Sequence, residues 1–157
     1  MIRLMTVLAL VLPLAAHAGF DEGVAAYSEG DYTKAMEEFK PLADRGDVQA
    51  EYFVGFFYYR GYGVPADHTE AASWFRKAAS QRDSRSAFYL GKMYEKGEGV
   101  ERDLTQAYLW LSLSAKNAPN ARDAAYTRED IGKLERRMSP EQIARAKELA
   151  AQWKPGT

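Results

Sequence analysis

The stretch Ala50–Ala79 reads AEYFVGFFYYRGYGVPADHTEAASWFRKAA, and most of its pattern recurs 36 residues further along the chain. Ten of eleven compared positions hold the same residue in both copies, the exception being Lys77, which is replaced by Leu113. The shared residues, numbered in the first copy, are Gly55, Tyr58, Gly61, Gly63, Val64, Asp67, Thr69, Ala71, Trp74 and Ala79. Repetition at a period of roughly 20–50 residues is typical of stacked repeat proteins. Each copy is therefore predicted to form one helical hairpin.

A third, partial copy precedes these two. The pattern Asp-x-Thr-x-Ala begins at Asp31, Asp67 and Asp103, at one constant spacing. The connection inside the first hairpin is shorter, because Tyr27 lies four residues before Asp31 whereas Tyr58 lies nine residues before Asp67. Terminal repeats are commonly atypical because one of their faces has no neighbouring repeat.

Hydrophobic spacing and end signals together place the helices. We predict helices at 21–28, 32–43, 48–60, 84–96, 104–117 and 123–138, one that follows Asp67, and a last one running from 140 to about 153. Asp67 is expected to form a capping box with Glu70, as is Ser139 with the glutamine three residues later. Gly55 lies in mid-helix, and we expect Ala71 to cross closely over its bare backbone.

The segment 1–18 is set aside before the fold is considered. It combines Arg3, an apolar run over 4–16 and the small-x-small sequence that ends at Ala18, which together predict a secretory signal peptide cleaved after Ala18. An uncleaved membrane anchor is the alternative. The remaining units are predicted as a tetratricopeptide-like hairpin at 19–46, full repeats at 47–82 and 83–118, and capping helices at 119–157. A periplasmic or secreted location is expected.

Composition narrows the possible partners. The formal net charge of the 157-residue chain is −1, which gives no general electrostatic reason to expect nucleic acid or an anionic membrane as partner. The chain contains no cysteine, so disulfides, thiol catalysis and thiolate metal sites are all excluded. We expect a monomer that is not stably inserted in a membrane once the signal peptide is removed.

The repeat as a whole, Ala-x-x-x-Val/Leu-Gly-x-x-Tyr-x-x-Gly-x-Gly-Val-x-x-Asp-x-x-x-Ala-x-x-Trp-x-x-x-Ala-Ala, resembles the Sel1-like repeat family. The resemblance covers 50–115 well and 31–46 in part, although Ser86 stands where the pattern has Ala. It implies an all-α, right-handed solenoid of tetratricopeptide-like hairpins that binds other proteins, and exported bacterial members look like scaffolds or regulators of envelope assemblies. One cysteine-rich branch is linked to penicillin binding and hydrolysis, but its paired cysteines are missing here.

Patterns that would support catalysis are weak. His68 is the single histidine left after cleavage, and it lies in a segment that caps a helix. One histidine in such a position does not indicate a metal site. There is no Gly-x-Ser-x-Gly and no serine that opens Ser-x-x-Lys. Gly61-Tyr-Gly63 follows a helix rather than a strand, so it is read as a helix stop and not as a phosphate loop. We expect no enzyme activity, no metal and no cofactor.

The first helix of each hairpin should line the concave side of a solenoid, and this side is the predicted partner-binding surface. Aromatic residues beside cations are the residue types enriched at binding hot spots. The predicted binding residues are Phe53, Phe56, Arg60, Tyr89, Lys92 and Lys96, with Tyr52 and Phe88 at the edge; Gln49 and Arg85 lie on the same stripe. The alternative is that Phe53 and Phe56 pack beneath the end helices.

Three functions remain open at this point. The leading hypothesis is a non-catalytic periplasmic adaptor that binds an extended peptide, or a helix or loop of another protein, in the concave groove. The alternatives are a cell-wall hydrolase or penicillin-binding module, and a cell-wall glycan binder that stacks sugars on its aromatic residues.

Overall fold

The computed structural model describes residues 14–156, which form eight α-helices and no strand. The helices are α1 (Leu14–Glu29), α2 (Tyr32–Asp44), α3 (Val48–Arg60), α4 (His68–Ser80), α5 (Ser84–Lys96), α6 (Leu104–Asn117), α7 (Ala121–Glu135) and α8 (Pro140–Gln152). Consecutive helices pair as hairpins from α1 to α6, each hairpin packs on the next, and α7 and α8 both pack on α6. The predicted all-α solenoid of helical hairpins is confirmed.

Helix bounds agree best with the predictions inside the two full repeats, where α3, α5 and α6 begin and end as predicted. Helix α7 was misplaced. It begins at Ala121 instead of Asp123, because Asn120 caps it by accepting a hydrogen bond from the Asp123 backbone N–H, and it ends at Glu135 instead of Met138. Helix α1 begins at Leu14 and so continues across the predicted cleavage point after Ala18. Residues 1–13 of the predicted signal peptide lie outside the described range.

A glycine in the first helix of each hairpin allows the second helix to approach closely. A Cβ atom placed on Gly55 would lie 2.9 Å from a ring carbon of Phe75, and one on Gly91 would lie 2.8 Å from Leu111. The prediction that Ala71 crosses closely over Gly55 is therefore wrong. The close partner of Gly55 is the Phe75 ring. Gly23 has the same relation to Phe39 in the first hairpin, at 2.6 Å.

A second glycine in each full repeat allows its loop to pack closely on the backbone of the preceding hairpin. A Cβ on Gly63 would lie 2.5 Å from the Tyr32 carbonyl oxygen, and one on Gly99 would lie 2.2 Å from that of His68. Both glycines also have positive φ angles, of 69° and 67°, which other residues rarely adopt. The hairpin loop thus packs directly on the start of the preceding hairpin's second helix, which fixes how the repeats stack.

The same aspartate cap starts the second helix of both full repeats. It differs from the capping box that was predicted at Asp67. Asp67 Oδ1 accepts hydrogen bonds from the backbone N–H groups of Thr69 and Glu70. The Asp67 N–H donates to the Tyr58 carbonyl across the hairpin, so it is not available to the Glu70 side chain, and the predicted reciprocal bond is wrong. The complete box forms at Ser139, whose hydroxyl and N–H both bond to Gln142.

The interior consists of three apolar clusters that follow one another along the array. The first lies between α1, α2 and α3, the second is centred on α4, α5 and α6, and the third lies where α6 meets α7 and α8. Phe39, Phe57, Phe75 and Leu111 are fully buried in them. Within residues 14–156, no helix has both the length and the apolar character needed to cross a membrane.

Candidate functional site: the concave groove

Helices α3, α5 and α7 face one another along one side of the molecule and enclose an open groove. Its cavity has a volume of about 260 Å³. The groove, as the term is used below, is lined by Tyr52 of α3, by Ser84, Arg85, Phe88 and Tyr89 of α5, by Ser114, Ala118 and Pro119 near the end of α6, and by Asp123, Tyr126 and Thr127 of α7. The first helices of the hairpins thus line this side, and α7 provides the third wall.

The aromatic residues beside the groove are anchored in the interior. Tyr89 stacks on the buried Phe75 ring, with 5.0 Å between centroids and 10° between planes. Four further rings surround it, Tyr59 at 5.5 Å, Phe56 at 5.8 Å, Phe88 at 6.1 Å and Tyr52 at 6.2 Å. Burial raises the pKa of Tyr52 to about 12 and also raises that of Tyr89, so both phenols are neutral donors over the whole physiological range.

Arg85 is held rigidly at the edge of the groove. Its guanidinium carbon lies 4.0 Å from the centre of the Tyr52 ring. Its Nε and Nη2 atoms donate to Asp83 Oδ2 at 3.2 and 3.0 Å. The other carboxylate oxygen of Asp83 accepts from the Ser86 backbone N–H at 2.7 Å and so caps α5. A cation–π contact, an ion pair and a helix cap therefore fix one cation.

Arg60 and Lys96 lie at the other end of the predicted surface, at the ends of α3 and α5. The Arg60 guanidinium lies 5.9 Å from the Phe56 ring centre and 6.0 Å from that of Tyr62, and the side chain is exposed. Lys96 Nζ is 3.5 Å from Glu98 Oε1, and Glu98 also accepts a hydrogen bond from the Tyr59 hydroxyl. Both cations are exposed, and Arg60 lies beside two aromatic rings.

Lys92 has a different environment from the one predicted. Its ammonium group is 2.6 Å from Glu95 Oε2 and 3.2 Å from Asp130 Oδ2, and it ties α5 to α7. Glu95 also pairs with Arg137. Burial alone would raise the pKa of Glu95, but Lys92 and Arg137 outweigh it and hold that pKa below its usual value. The charge of Lys92 is thus compensated within the protein.

Phe53, a predicted binding residue, does not line the groove. Its ring stacks on Phe39 of α2 at 4.5 Å and contacts Phe20 and Tyr27 of α1 at 5.9 and 5.7 Å. The structure therefore brings Tyr52, Phe56, Tyr89 and Phe88 together, places Arg60 and Lys96 beyond them, and directs Phe53 into the first cluster. Of the two alternatives left open by the sequence, packing beneath an end helix applies to Phe53.

Tyr126 is a groove residue that was not among the predicted binding residues. It is 62% exposed. Its ring lies 5.8 Å from that of Phe88 and forms the opposite wall. The repeat offered no register for it, because α7 does not follow the 36-residue period.

Residues 14–156 contain no group of three or more His, Asp or Glu side chains arranged to hold a metal ion. What they do present is an open surface of anchored rings and positioned cations, built on a stack of helical hairpins. That architecture defines an α-solenoid, a class whose concave surface binds other molecules.

The Sel1 repeat family model matches the chain twice, at 48–83 and at 84–118. The chain is a Sel1-like repeat protein. Repeats of this type generally mediate protein–protein interaction, and the family is typically scaffold-like and non-catalytic.

Solved structures agree with this assignment. A protective antigen of uropathogenic Escherichia coli strains that displays an SLR fold is 32% identical, with a TM-score of 0.80 over 87% of this chain and 29% of that one. A Sel1 repeat protein from Oxalobacter formigenes is 27% identical, with a TM-score of 0.65 over 73% of this chain and 45% of that one. The chain therefore spans less than half the length of either relative. No curated protein matches it.

Proposed function

We propose that this protein is an exported, non-catalytic adaptor of the bacterial periplasm that binds a segment of a partner protein in the groove. The observation that carries the proposal is the aromatic pair at the groove, the half-buried Phe88 and the exposed Tyr126, beside the cation Arg85, which Asp83 and Tyr52 hold in place. Interface hot spots are enriched in tyrosine and arginine, and rigid rings lose little conformational entropy on binding. A scaffold or regulator of a cell-envelope assembly is the role that these features support best.

The binding part of the proposal can be tested with a display library of random linear peptides selected on residues 19–157. Tyr126→Ala removes the most exposed groove ring, and we expect the selected peptides to bind this variant at least tenfold more weakly. The matched control is Val24→Ala, which shortens an exposed apolar residue of α1 away from the groove and should change nothing. Equal loss in both variants, or in neither, would rule out the groove as the binding surface.

The two alternative functions, a cell-wall hydrolase and a glycan binder, are tested on the same purified residues 19–157. Hydrolysis of a reporter β-lactam or of muropeptides by residues 19–157 would establish an enzyme. Binding of neutral chito-oligosaccharides that is lost in Tyr126→Ala, without any peptide binding, would establish a glycan binder. We expect neither.

Export is tested separately. Expression of the full chain in a Gram-negative host, followed by osmotic release of the periplasm, should yield a protein that begins at Gly19. Its molecular mass by mass spectrometry should equal that of residues 19–157. Retention of the whole chain in the membrane fraction would support the uncleaved anchor instead.

A further inference from the structure

We propose that the segment bound in the groove carries an internal acidic side chain, Asp or Glu, that pairs with Arg85, next to an apolar side chain that packs on the rings of Phe88 and Tyr126. The inference rests on the proposed peptide-binding function and adds the chemistry of the partner.

The geometry of Arg85 leaves one edge of its guanidinium open. A guanidinium has five N–H donors, and Asp83 Oδ2 takes one from Nε and one from Nη2 on the same side. The terminal edge, formed by one N–H of Nη1 and the second N–H of Nη2, is not used by Asp83. This edge is a fork that matches the two oxygens of a carboxylate. The Arg85 side chain is 45% exposed, against 11% for Asp83, so the arginine is the partner that reaches solvent.

Immobilisation makes this edge a better site than an ordinary surface arginine. A free arginine loses side-chain entropy when it binds, which offsets much of the gain of a surface ion pair. Arg85 has already lost that freedom on folding, since Tyr52 covers one face and Asp83 fixes the inner edge. A carboxylate meets a cation that is already oriented.

The surroundings of Arg85 favour an anion. Arg85 also lines a neighbouring cavity with Arg82, and Arg82 lines the next one with Lys116. The carboxylates nearby are Asp83 and Asp123, and both are engaged at helix starts: Asp83 caps α5, and Asp123 lies in the first turn of α7, where Asn120 donates to it. Helix N-termini carry partial positive charge. In the two cavities that Arg85 lines, two arginines therefore lie beside two carboxylates that are both engaged at helix starts.

The position of Arg85 also indicates where the acid lies in the partner. Arg85, Ser84 and Pro119 are shared by the apolar groove and the adjoining polar cavity. The depression thus continues on both sides of Arg85 and does not end there. A segment that runs through it presents an internal side chain to Arg85, whereas a chain terminus would leave the second cavity empty. Phe88 and Tyr126 lie on the apolar side and receive the neighbouring apolar residue.

The test uses synthetic peptides with acetylated N-termini and amidated C-termini, so that only side chains bear charge. Each contains one phenylalanine and, at varied spacing from it, either glutamate or glutamine. Affinities for residues 19–157 are measured by fluorescence anisotropy. We expect the best glutamate peptide to bind about tenfold more tightly than its glutamine counterpart, since hydrogen bonds to a charged group are the stronger ones, and we expect the preference to shrink with added salt.

Three variants locate the effect. Arg85→Gln should abolish the preference for glutamate and leave the glutamine peptide unchanged, whereas Tyr126→Ala should weaken both peptides by a similar factor. Arg145→Gln removes an exposed arginine of α8, which does not line the groove, and should retain the full preference. Circular dichroism checks that each variant is folded.

The outcomes separate the two proposals. Equal binding of glutamate and glutamine peptides to the wild type, with loss in Tyr126→Ala, would overturn the acidic partner but keep the groove. A glutamine peptide with a free C-terminal carboxylate that binds as tightly as the glutamate peptide would overturn the internal position. Failure of every peptide, or binding of chito-oligosaccharides alone, would overturn both proposals.

Discussion

Alanine substitution should have opposite effects at two mid-helix glycines, Gly55 in α3 and Gly132 in α7. In a helix interior alanine is favoured over glycine by about 0.8–1 kcal/mol, which is the gain expected where nothing else changes. At Gly132 the added Cβ has no neighbouring atom within 4 Å. We therefore expect Gly132→Ala to stabilise the protein by about 0.5–1 kcal/mol.

At Gly55 the same methyl group enters occupied space. It would lie 2.9, 3.0 and 3.3 Å from three carbons of the Phe75 ring, which is 0% exposed and stacked on Tyr89. Because the ring cannot swing away, α3 and α4 must separate. Overpacking of this kind costs about 1–3 kcal/mol. After subtraction of the helix-propensity gain of about 1 kcal/mol, Gly55→Ala is expected to destabilise the protein by up to about 2 kcal/mol.

The assay is equilibrium unfolding in urea followed by circular dichroism at 222 nm, with the midpoint compared at constant slope. For a domain of this size 1 kcal/mol corresponds to a shift of about 3–4 °C in Tm, so a parallel thermal melt should place the Tm of Gly132→Ala several degrees above that of Gly55→Ala. If both substitutions stabilise the protein equally, then Gly55 is not a close-packing position, and the account of how each hairpin closes is incorrect.

Three further substitutions test buried or capping groups. Burial raises the pKa of Glu51, whose carboxylate accepts a hydrogen bond from Gln81; the folded state therefore holds this proton more tightly, and the contribution of Glu51 to stability should fall as pH rises above about 4.3. Glu51→Gln, which keeps the acceptor, should remove this fall and be more stable than the wild type at pH 7 but not at pH 4, as measured by urea unfolding at both values. Ser86 is fully buried and its hydroxyl has no partner among the described residues, while the equivalent position in the preceding repeat is Ala50; Ser86→Ala should raise the free energy of unfolding by about 1 kcal/mol, and a loss of stability would contradict this. Asp103→Ala removes the cap of α6, in which one oxygen accepts two backbone N–H groups, and should cost about 1 kcal/mol, seen as a Tm lowered by a few degrees.

Helix ends were predictable where two independent signals coincide. Helices α3 and α5 each begin after an aspartate cap and end at a glycine with positive φ, Gly61 and Gly97. Helix α7 has no such glycine after it, and two residues near its start, Asn120 and Asp123, can both act as caps. The competition is decided by geometry, since Asn120 accepts from the Asp123 N–H, and composition alone does not reveal it.

The groove was predictable only in part, for a related reason. The 36-residue period identifies which positions are equivalent, but it does not say which helix covers them. Phe53 and Tyr89 occupy equivalent positions, yet Phe53 packs against α1 and α2 whereas Tyr89 packs against rings of α3 and α4. The contacts of Tyr126 depend on how α7 docks, and this was beyond the reach of the repeat pattern.

The two full repeats keep their interiors alike and their concave surfaces different. Gly55, Ala71, Trp74 and Ala79 recur unchanged, because close approach of the helices admits few alternatives. Other buried positions change identity but stay apolar, as when Phe57 is replaced by Met93 and Phe75 by Leu111. On the concave side Gln49 becomes Arg85, Phe56 becomes Lys92 and Arg60 becomes Lys96. A surface whose neighbouring units differ in charge and shape cannot bind a repeated motif in several registers.

It follows that the array should form one site that binds one segment in one orientation. Isothermal titration with the best glutamate peptide should give a stoichiometry of one peptide per chain. A value of two would mean that each repeat binds on its own. In that case Arg85, which occurs in one repeat alone, could not be the residue that selects the partner.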